Sequence, residues 1–290
     1  MYEKLSSCPL CDETSFTNEM VIEDHAITGE GFALVRCSNC QLLFTNPRPA
    51  PHAIAPYYQS QRYISHAHKW ISPIDLVYRW ARRYMLSKKR GWLEQLQPKK
   101  KVLLDVGCGI GSFLTYTRNH GWEVCGVEPN EKARALSHQK DLKVYEHLMD
   151  IPESLFQVIT LWHSLEHMHD LKGTMQTLTQ LLPKKGHLII AVPNPKSWDA
   201  SNYQNHWAGY DVPRHLYHFD KSNIKYLARR FKLKLVKIHP LQLDAYYVSI
   251  LSEKYKNGSI FNGLISGYKS NQWAKKNNGN FSSLVYILRK

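Results

Sequence analysis

Four cysteines fall in two pairs near the amino terminus, Cys8-Pro-Leu-Cys11 and Cys37-Ser-Asn-Cys40. Each pair is a knuckle that turns two sulfurs toward one point, and two knuckles supply the four soft ligands of a tetrahedral zinc site. Cys8, Cys11, Cys37 and Cys40 would leave no position for water, so such a Zn2+ is structural. The 25 residues between the pairs exceed the usual spacing, which a ribbon of hairpins accommodates by folding back. Chance pairing, disulfides and a redox Cys-x-x-Cys are the alternatives, and a cytosolic setting disfavours disulfides.

A second chemistry is carried by Val102-Leu-Leu-Asp-Val-Gly-Cys-Gly-Ile-Gly111. Gly107, Gly109 and Gly111 let the chain turn sharply after a buried strand and let a ligand reach the backbone, where a helix amino terminus follows. Dinucleotide enzymes use similar glycines, so the loop alone does not choose its ligand. Asp105, two residues before the first glycine, places a carboxylate where it would face an ammonium group. Glu128 ends the next strand, where an acid accepts both hydroxyls of a ribose. Dinucleotide sites want the second acid and do not usually want the first.

Two further clusters follow later strands. Trp162-His163-Ser-Leu-Glu166-His167-Met-His-Asp170 comes after the fourth strand, and Trp207-Ala-Gly-Tyr210-Asp-Val-Pro-Arg214-His215-Leu-Tyr217-His218-Phe219 after the fifth. The carboxyl ends of parallel strands are the binding edge of an open sheet. His167 is the first candidate for a general base or for orienting an acceptor, with Glu166 fixing its tautomer. His163, His215 and His218 are further candidates. Capping the next helix or bracing the loop is the structural alternative. Trp207, Tyr210 and Tyr217 offer aromatic walls for a substrate, and Arg214 a bidentate fork for phosphate or carboxylate. An ordinary packed loop accounts for any one of them equally well. His163, Glu166 and His167 also spell His-x-x-Glu-His, the zinc helix of an inverted metalloprotease motif. A catalytic zinc is not expected on that pattern, because it follows a buried strand and not the interior of a long helix.

The elements that must position these groups alternate from Lys101 onward. Apolar runs at Lys101–Val106, Glu123–Glu128, Leu142–Tyr145, Phe156–Leu161 and His187–Val192 read as strands. Helical patterns at Ser112–His120, Glu131–Lys140 and Leu171–Leu182 separate them. The order predicts a parallel sheet covered on both faces. Lys221–Phe231 reads as helix, Lys232–Ile238 as a sixth strand, 244–268 as helix, 269–280 as a polar loop, and Ser282–Leu288 as a closing antiparallel strand. Upstream, Asn46-Pro47-Arg48-Pro49-Ala50-Pro51 reads as a linker. Residues 72–96 read as a basic amphipathic helix, with Ile74, Val77, Tyr78, Ala81 and Met85 on one face and Arg79, Arg82, Arg83 and Lys89 mostly elsewhere. That helix is expected to cover one edge of the cofactor site.

Within this pattern, Leu-Asp-Val-Gly-Cys-Gly-Ile-Gly followed by Gly126-Val-Glu-Pro129 resembles the binding motifs of class I S-adenosylmethionine (SAM)-dependent methyltransferases, over the stretch from about Lys101 to the carboxyl terminus. The resemblance implies that Asp105 and the loop of Gly107, Cys108, Gly109 and Gly111 hold the methionine end of SAM. It implies Glu128 on the ribose and Leu148 with its neighbours at the adenine edge, and Trp162 is counted with them. It also implies a Glu-His pair near the methyl group. Phe156-Gln157-Val158-Ile159 departs from the Phe-Asp-Val-Ile common in the family, a change expected to affect loop support. Residues 36–49 resemble the second knuckle of zinc ribbons fused to bacterial methyltransferases, including sugar C-methyltransferases. Those sugar enzymes carry a further carboxyl-terminal domain, for which this chain is too short.

The expected fold class is therefore α/β, a Rossmann-like seven-stranded, mostly parallel sheet with helices on both faces, plus a small zinc ribbon. The expected divisions are a zinc ribbon at 1–48, a linker and basic helix at 49–100, and a methyltransferase domain at 101–290. A net charge of +14 allows an anionic partner or merely solvated helix faces. Nine basic residues lie between Arg79 and Lys101 and eight between Arg214 and Lys237. No run of eighteen apolar residues is present, and the reading is a cytoplasmic enzyme. The leading function is methyl transfer to a small or lipid-linked acceptor that is sugar, polyketide-like or quinone-like. An RNA methyltransferase gripping phosphates with the ribbon and basic helices, and a non-catalytic SAM-fold binding protein, are the competing functions.

Overall fold

The computed structural model describes residues 1–58, 73–152 and 155–290. Its first part is β-rich: β1 Tyr2–Glu3, β2 Phe16–Glu23, β3 Gly31–Cys37, β4 Leu43–Thr45 and β5 Arg48–Pro49. Helix α1, Pro73–Gln95, leads into the alternating region. That region runs β6 Val102–Val106, α2 Ser112–Arg118, β7 Glu123–Val127, α3 Glu131–His138, β8 Val144–Tyr145, β9 Val158–Trp162, α4 Leu171–Leu181 and β10 His187–Pro193. It continues through α5 Trp198–Tyr203, β11 Tyr217–His218, α6 Lys221–Arg230, β12 Lys234–Pro240, α7 Gln242–Tyr255, α8 Ile260–Lys276 and β13 Ser283–Arg289. Ser72, and the side chains of Ile74, Val77, Tyr78 and Arg79 that the sequence assigns to the first helix, lie outside the described residues.

Seven strands form one sheet in the order β12-β13-β10-β9-β6-β7-β8. The pairs from β10 through β8 are parallel, whereas β13 runs antiparallel to both β10 and β12. Strand order reverses at β6, which opens a crevice at the carboxyl ends of β6 and β9. Because side chains alternate across a strand, Leu103, Val158, Ile189 and Ile287 face Trp92, Leu93, Phe113 and Leu114, while Leu104, Ile159, Leu161 and Ile190 face the other side. Burying each such side chain stabilises the sheet by about 1.5–3 kcal/mol.

The second face is shared with the cysteine-bearing region. Cys8, Leu10, Val35, Leu42 and Phe44 belong to the same apolar core as Leu104 and Ile159. A four-stranded sheet of order β11-β4-β3-β2 makes the junction, since β11 comes from the segment after β10. Tyr217 pairs with Phe44 and His218 with Leu43.

Three expectations are corrected. The proline-rich stretch is no free linker: β5 pairs with β1, and Arg48, 4% exposed, donates to Glu3, to the Tyr217 hydroxyl and to the His169 carbonyl. The helix expected at 244–268 is two helices, because Gly258 and Ser259 interrupt it and the Ser259 hydroxyl caps α8 by accepting from the Asn262 amide. The polar loop expected at 269–280 is helix as far as Lys276. Two of its polar residues are buried and bonded inward, Ser270 to Asp199 at 2.6 Å and Asn271 to the Gln242 carbonyl at 2.9 Å.

Candidate active site

Strand β6 ends in a loop whose glycines have different work. Gly107 has φ 75°, and a Cβ there would lie 2.6 Å from Ser164 Cβ, so side-chain absence is required by packing. Gly109 has φ 55° with nothing within 4 Å of the missing Cβ, so its face is open to a ligand. The opening is a hollow of about 270 Å³ lined by Asp105, Gly107, Cys108, Gly109 and Trp162. Across it stand Arg82, Met85, Leu86 and Lys89 of α1, with Ser112 and Phe113 at the start of α2.

Asp105 is 3% exposed and accepts from the Thr160 hydroxyl at 2.6 Å. Burial pushes its carboxyl up to about 7, against the pull of the Thr160 bond and the Lys89 charge. Lys89 lies 4.3 Å from the centroid of the Trp162 ring, and burial lowers its ammonium from the ordinary value. Glu128 adjoins the hollow through Gly109, whose amide it accepts at 2.8 Å, and it also accepts from the Asn130 amide at 2.9 Å. An ionised carboxylate has about four lone-pair sites, so two remain for hydroxyls. The indole N–H of Trp162 is buried without an acceptor among the described residues.

Three of the cofactor residues expected from sequence do not line this hollow: Glu128 only adjoins it through Gly109, and Leu148 and Gly111 lie away from it. Leu148 is in a 3₁₀ turn at Leu148–Asp150 and leans on the sheet core. Gly111 packs against Leu142 and Ser137, with φ 71°. Arg82, Met85, Leu86, Lys89, Ser112 and Phe113 were not singled out as site residues. The amphipathic pattern of α1 placed the helix at this edge but assigned Lys89 to the wrong side.

Beyond Trp162 the chain turns through His163, φ 54°, into a half-buried cluster. His163 Nε2 lies 3.0 Å from Asp244 of α7 and Nδ1 lies 3.4 Å from Glu166. Burial opposes charging His163, yet Asp244 and Glu166 outweigh it and raise the imidazole to about 10. Glu166 is fully buried. Burial would raise its carboxyl, but His163, His215 and His167 hold it below the ordinary value.

His167 does not take its tautomer from Glu166, as the sequence suggested. Its Nδ1 donates to the Arg214 carbonyl at 2.9 Å, and the Tyr58 hydroxyl is 3.1 Å from the same nitrogen. Burial, with the neighbouring His215, pushes His167 down to about 4, so the ring is neutral and Nε2 carries a lone pair. His215 is held the same way, Nδ1 donating to the Gly209 carbonyl at 2.9 Å. The two rings are 4.7 Å apart. His218 is buried against Tyr210, and burial lowers it to about 3.

The aromatic and arginine walls expected for a substrate are structural instead. Trp207, 2% exposed, donates to Asp199 at 2.7 Å, and Tyr210 meets its ring edge-on. The Tyr217 hydroxyl donates to the His169 carbonyl and accepts from Arg48. Arg214 offers no fork to an anion, because its donors go to Asp24, Asp211 and the Tyr57 carbonyl at 2.8 to 3.0 Å. Its charge is buried with Asp24 at 0% side-chain exposure. Arg214→Ala is expected to cost about 3–5 kcal/mol in stability, because Asp24 would be left uncompensated. Urea unfolding checks this, and a change below about 1 kcal/mol would refute it.

Among the described residues, Cys8, Cys11, Cys37 and Cys40 bring their sulfurs within 4.8 Å of one another. Cys8 is 3.5 Å from Cys40 and Cys11 3.4 Å from Cys37, with all four thiols free. A tetrahedron with Zn–S of about 2.3 Å spaces its sulfurs by about 3.8 Å, so the set fits zinc.

The strand order, the crevice at the reversal point and the paired acids define the fold and site plan of a class I methyltransferase. The chain belongs to the methyltransferase-domain family, whose model matches residues 78–238. It is 30% identical over 108 residues to a ubiquinone biosynthesis O-methyltransferase of Alkalilimnicola ehrlichii, covering 33% of this chain and 44% of that protein. A protein of the same description from Yersinia pestis is 29% identical over 128 residues, covering 40% and 50%. The chain thus spans about half the length of the curated relatives it matches. A magnesium protoporphyrin IX methyltransferase from Synechocystis, solved with bound SAH, has the same fold, with TM-score 0.51, 14% identity, and 79% of this chain and 92% of that one covered.

Proposed function

We propose that the enzyme methylates a small or lipid-linked acceptor through an oxygen nucleophile, of the quinol, polyketide or sugar kind. The observation that carries this is adjacency: the hollow bounded by Asp105 and Trp162 runs, through His163, to the neutral imidazole of His167 and the ring of His215 beside a buried carboxylate. When bound in the hollow, SAM supplies an electrophilic methyl group. Asp105 is suited to meet its ammonium, Gly109 to admit it against the backbone, and Glu128 to accept ribose hydroxyls. Glu166, His167 and His215 are suited to orient the acceptor hydroxyl, whose proton passes to the lone pair at His167 Nε2. Zn2+ in the four-cysteine site holds the ribbon to which these loops are bonded. The described ubiquinone O-methyltransferase relatives support an oxygen acceptor.

Incubation with methyl-labelled SAM and a panel of catechols, quinols and deoxysugars tests the reading. Label in an O-methyl product is the expected result, and label in RNA alone would overturn it. His167→Gln is expected to lower kcat by about 10²–10⁴-fold and leave SAM affinity unchanged. An unchanged kcat would assign His167 to loop support only.

A further inference from the structure

A buried ring, a half-buried ring and a buried carboxylate converge at the acceptor side of the site, and their arrangement asks for a ligand. Glu166, His167 and His215 each offer one atom, and these atoms lie within 4.8 Å of one another. Both histidines donate Nδ1–H to a main-chain carbonyl, His167 to Arg214 and His215 to Gly209. That bond commits Nδ1 and leaves Nε2 as the ring nitrogen available to a ligand, which is the outer-shell arrangement of metal-binding histidines. His215 Nε2 stands 3.9 Å from Glu166 Oε1. Glu166 is 0% exposed, and neither of its oxygens accepts a hydrogen bond of acceptable geometry among the described residues. His163 gives Oε1 only a loose ion pair at 3.4 Å, and leaving both oxygens without a hydrogen bond in the interior is costly, a cost that a directly bound cation would lower.

We propose that Glu166, His167 and His215 bind a divalent first-row transition-metal ion. Two imidazoles and one carboxylate are the donor set of open catalytic zinc and non-haem iron sites, with positions left for oxygen ligands. Metal–ligand distances of about 2.1 Å require the three atoms to close in by about 1 Å, a side-chain adjustment. The set differs from the His-x-x-Glu-His reading of the sequence. His163 is engaged by Asp244 and Glu166, and the second imidazole arrives from His215, 49 positions after Glu166. Asp211, 3.9 Å from His215 Nε2, is held by Arg214 and stands outside the set. This inference rests on the cluster being the acceptor site; with an ion bound, His167 Nε2 would be a ligand and not the proton acceptor, and the ion would instead lower the pKa of the acceptor hydroxyl, which narrows the acceptor to molecules that present an oxygen to it, such as a catechol or an enediol.

The test titrates the full chain, with zinc in its four-cysteine site, with Mn2+ followed by electron paramagnetic resonance. Mn2+ is a poor partner for thiolates and reports a nitrogen and oxygen site. One Mn2+ per chain is expected, with affinity falling by about tenfold or more in both Glu166→Gln and His215→Gln. Glu166→Gln keeps the shape of the side chain, and SAM affinity measured on the same samples shows that the fold is retained. Absence of Mn2+ binding in the unmodified chain, or binding equal in both variants, overturns the proposal. SAM binding and O-methyl product without an ion would remove the metal site and leave methyl transfer standing. Failure to bind SAM at all would remove both.

Discussion

Asp105→Ala is expected to weaken SAM binding by at least about 30-fold while leaving the zinc content unchanged. Removing one partner of a buried charge pair costs about 2–5 kcal/mol, or roughly 30-fold to several thousand-fold in affinity. Zinc is spared because Asp105 points with Leu103 toward the α1 face, whereas the cysteine ribbon packs on the opposite face with Leu104. A pH signature accompanies the loss. With the carboxyl raised to about 7 before ligand binds, the protonated form prevails below that pH and cannot pair with an ammonium. SAM affinity is therefore expected to rise about tenfold per pH unit up to about 7 and then level off. Calorimetry across pH 5.5–8.5 checks both arms, in roughly half-unit steps. An Asp105→Ala enzyme that binds SAM normally, or a wild-type affinity flat across this range, would refute the assignment.

Cys37→Ser should release the zinc and cost methyl transfer far more than it costs SAM binding. The reason is the wiring between ribbon and acceptor cluster. The Thr45 amide donates to the Leu216 carbonyl and its hydroxyl to the His215 carbonyl, both at 3.0 Å, and the Leu216 amide donates to the Glu166 carbonyl at 2.8 Å. Asn223 of α6 is bonded to the Cys40 carbonyl at 2.9 Å. Structural zinc contributes about 10–16 kcal/mol to small modules, so its loss should melt the ribbon and release β11. We expect turnover to fall by about 100-fold or more with the orienting loops undone, and SAM affinity by less than about tenfold. Metal analysis, turnover and calorimetry on one preparation decide it. Full turnover in a zinc-free variant would show that the ribbon does not hold the site.

Much of this arrangement was readable in the residues. The strand–helix alternation after Lys101 yields the sheet because apolar period and glycine punctuation are local signals, and Asp105 and Gly109 were found by their place at a strand end. What stayed hidden depends on partners distant in sequence. Arg214 looks like an anion fork until Asp24, 190 positions away, closes it. Tyr217 looks like a pocket wall until it pairs with Phe44. Lys89 looks like a solvated helix residue until Trp162 comes beneath it. Residues 269–276 look like loop because Ser270 and Asn271 find buried partners, which composition does not record. Part of the basic surplus is likewise consumed: Arg230 of α6 pairs with Asp12 and with the Leu10 carbonyl.

A crystal structure of the chain with S-adenosylhomocysteine, the demethylated product of the donor, tests the central claim most directly. The amino group of the ligand is predicted beside Asp105, its backbone-facing edge on Gly109, and its ribose hydroxyls on Glu128. Density for the ligand anywhere else, or a hollow kept closed by Lys89 against Asp105 at saturating ligand, would contradict it.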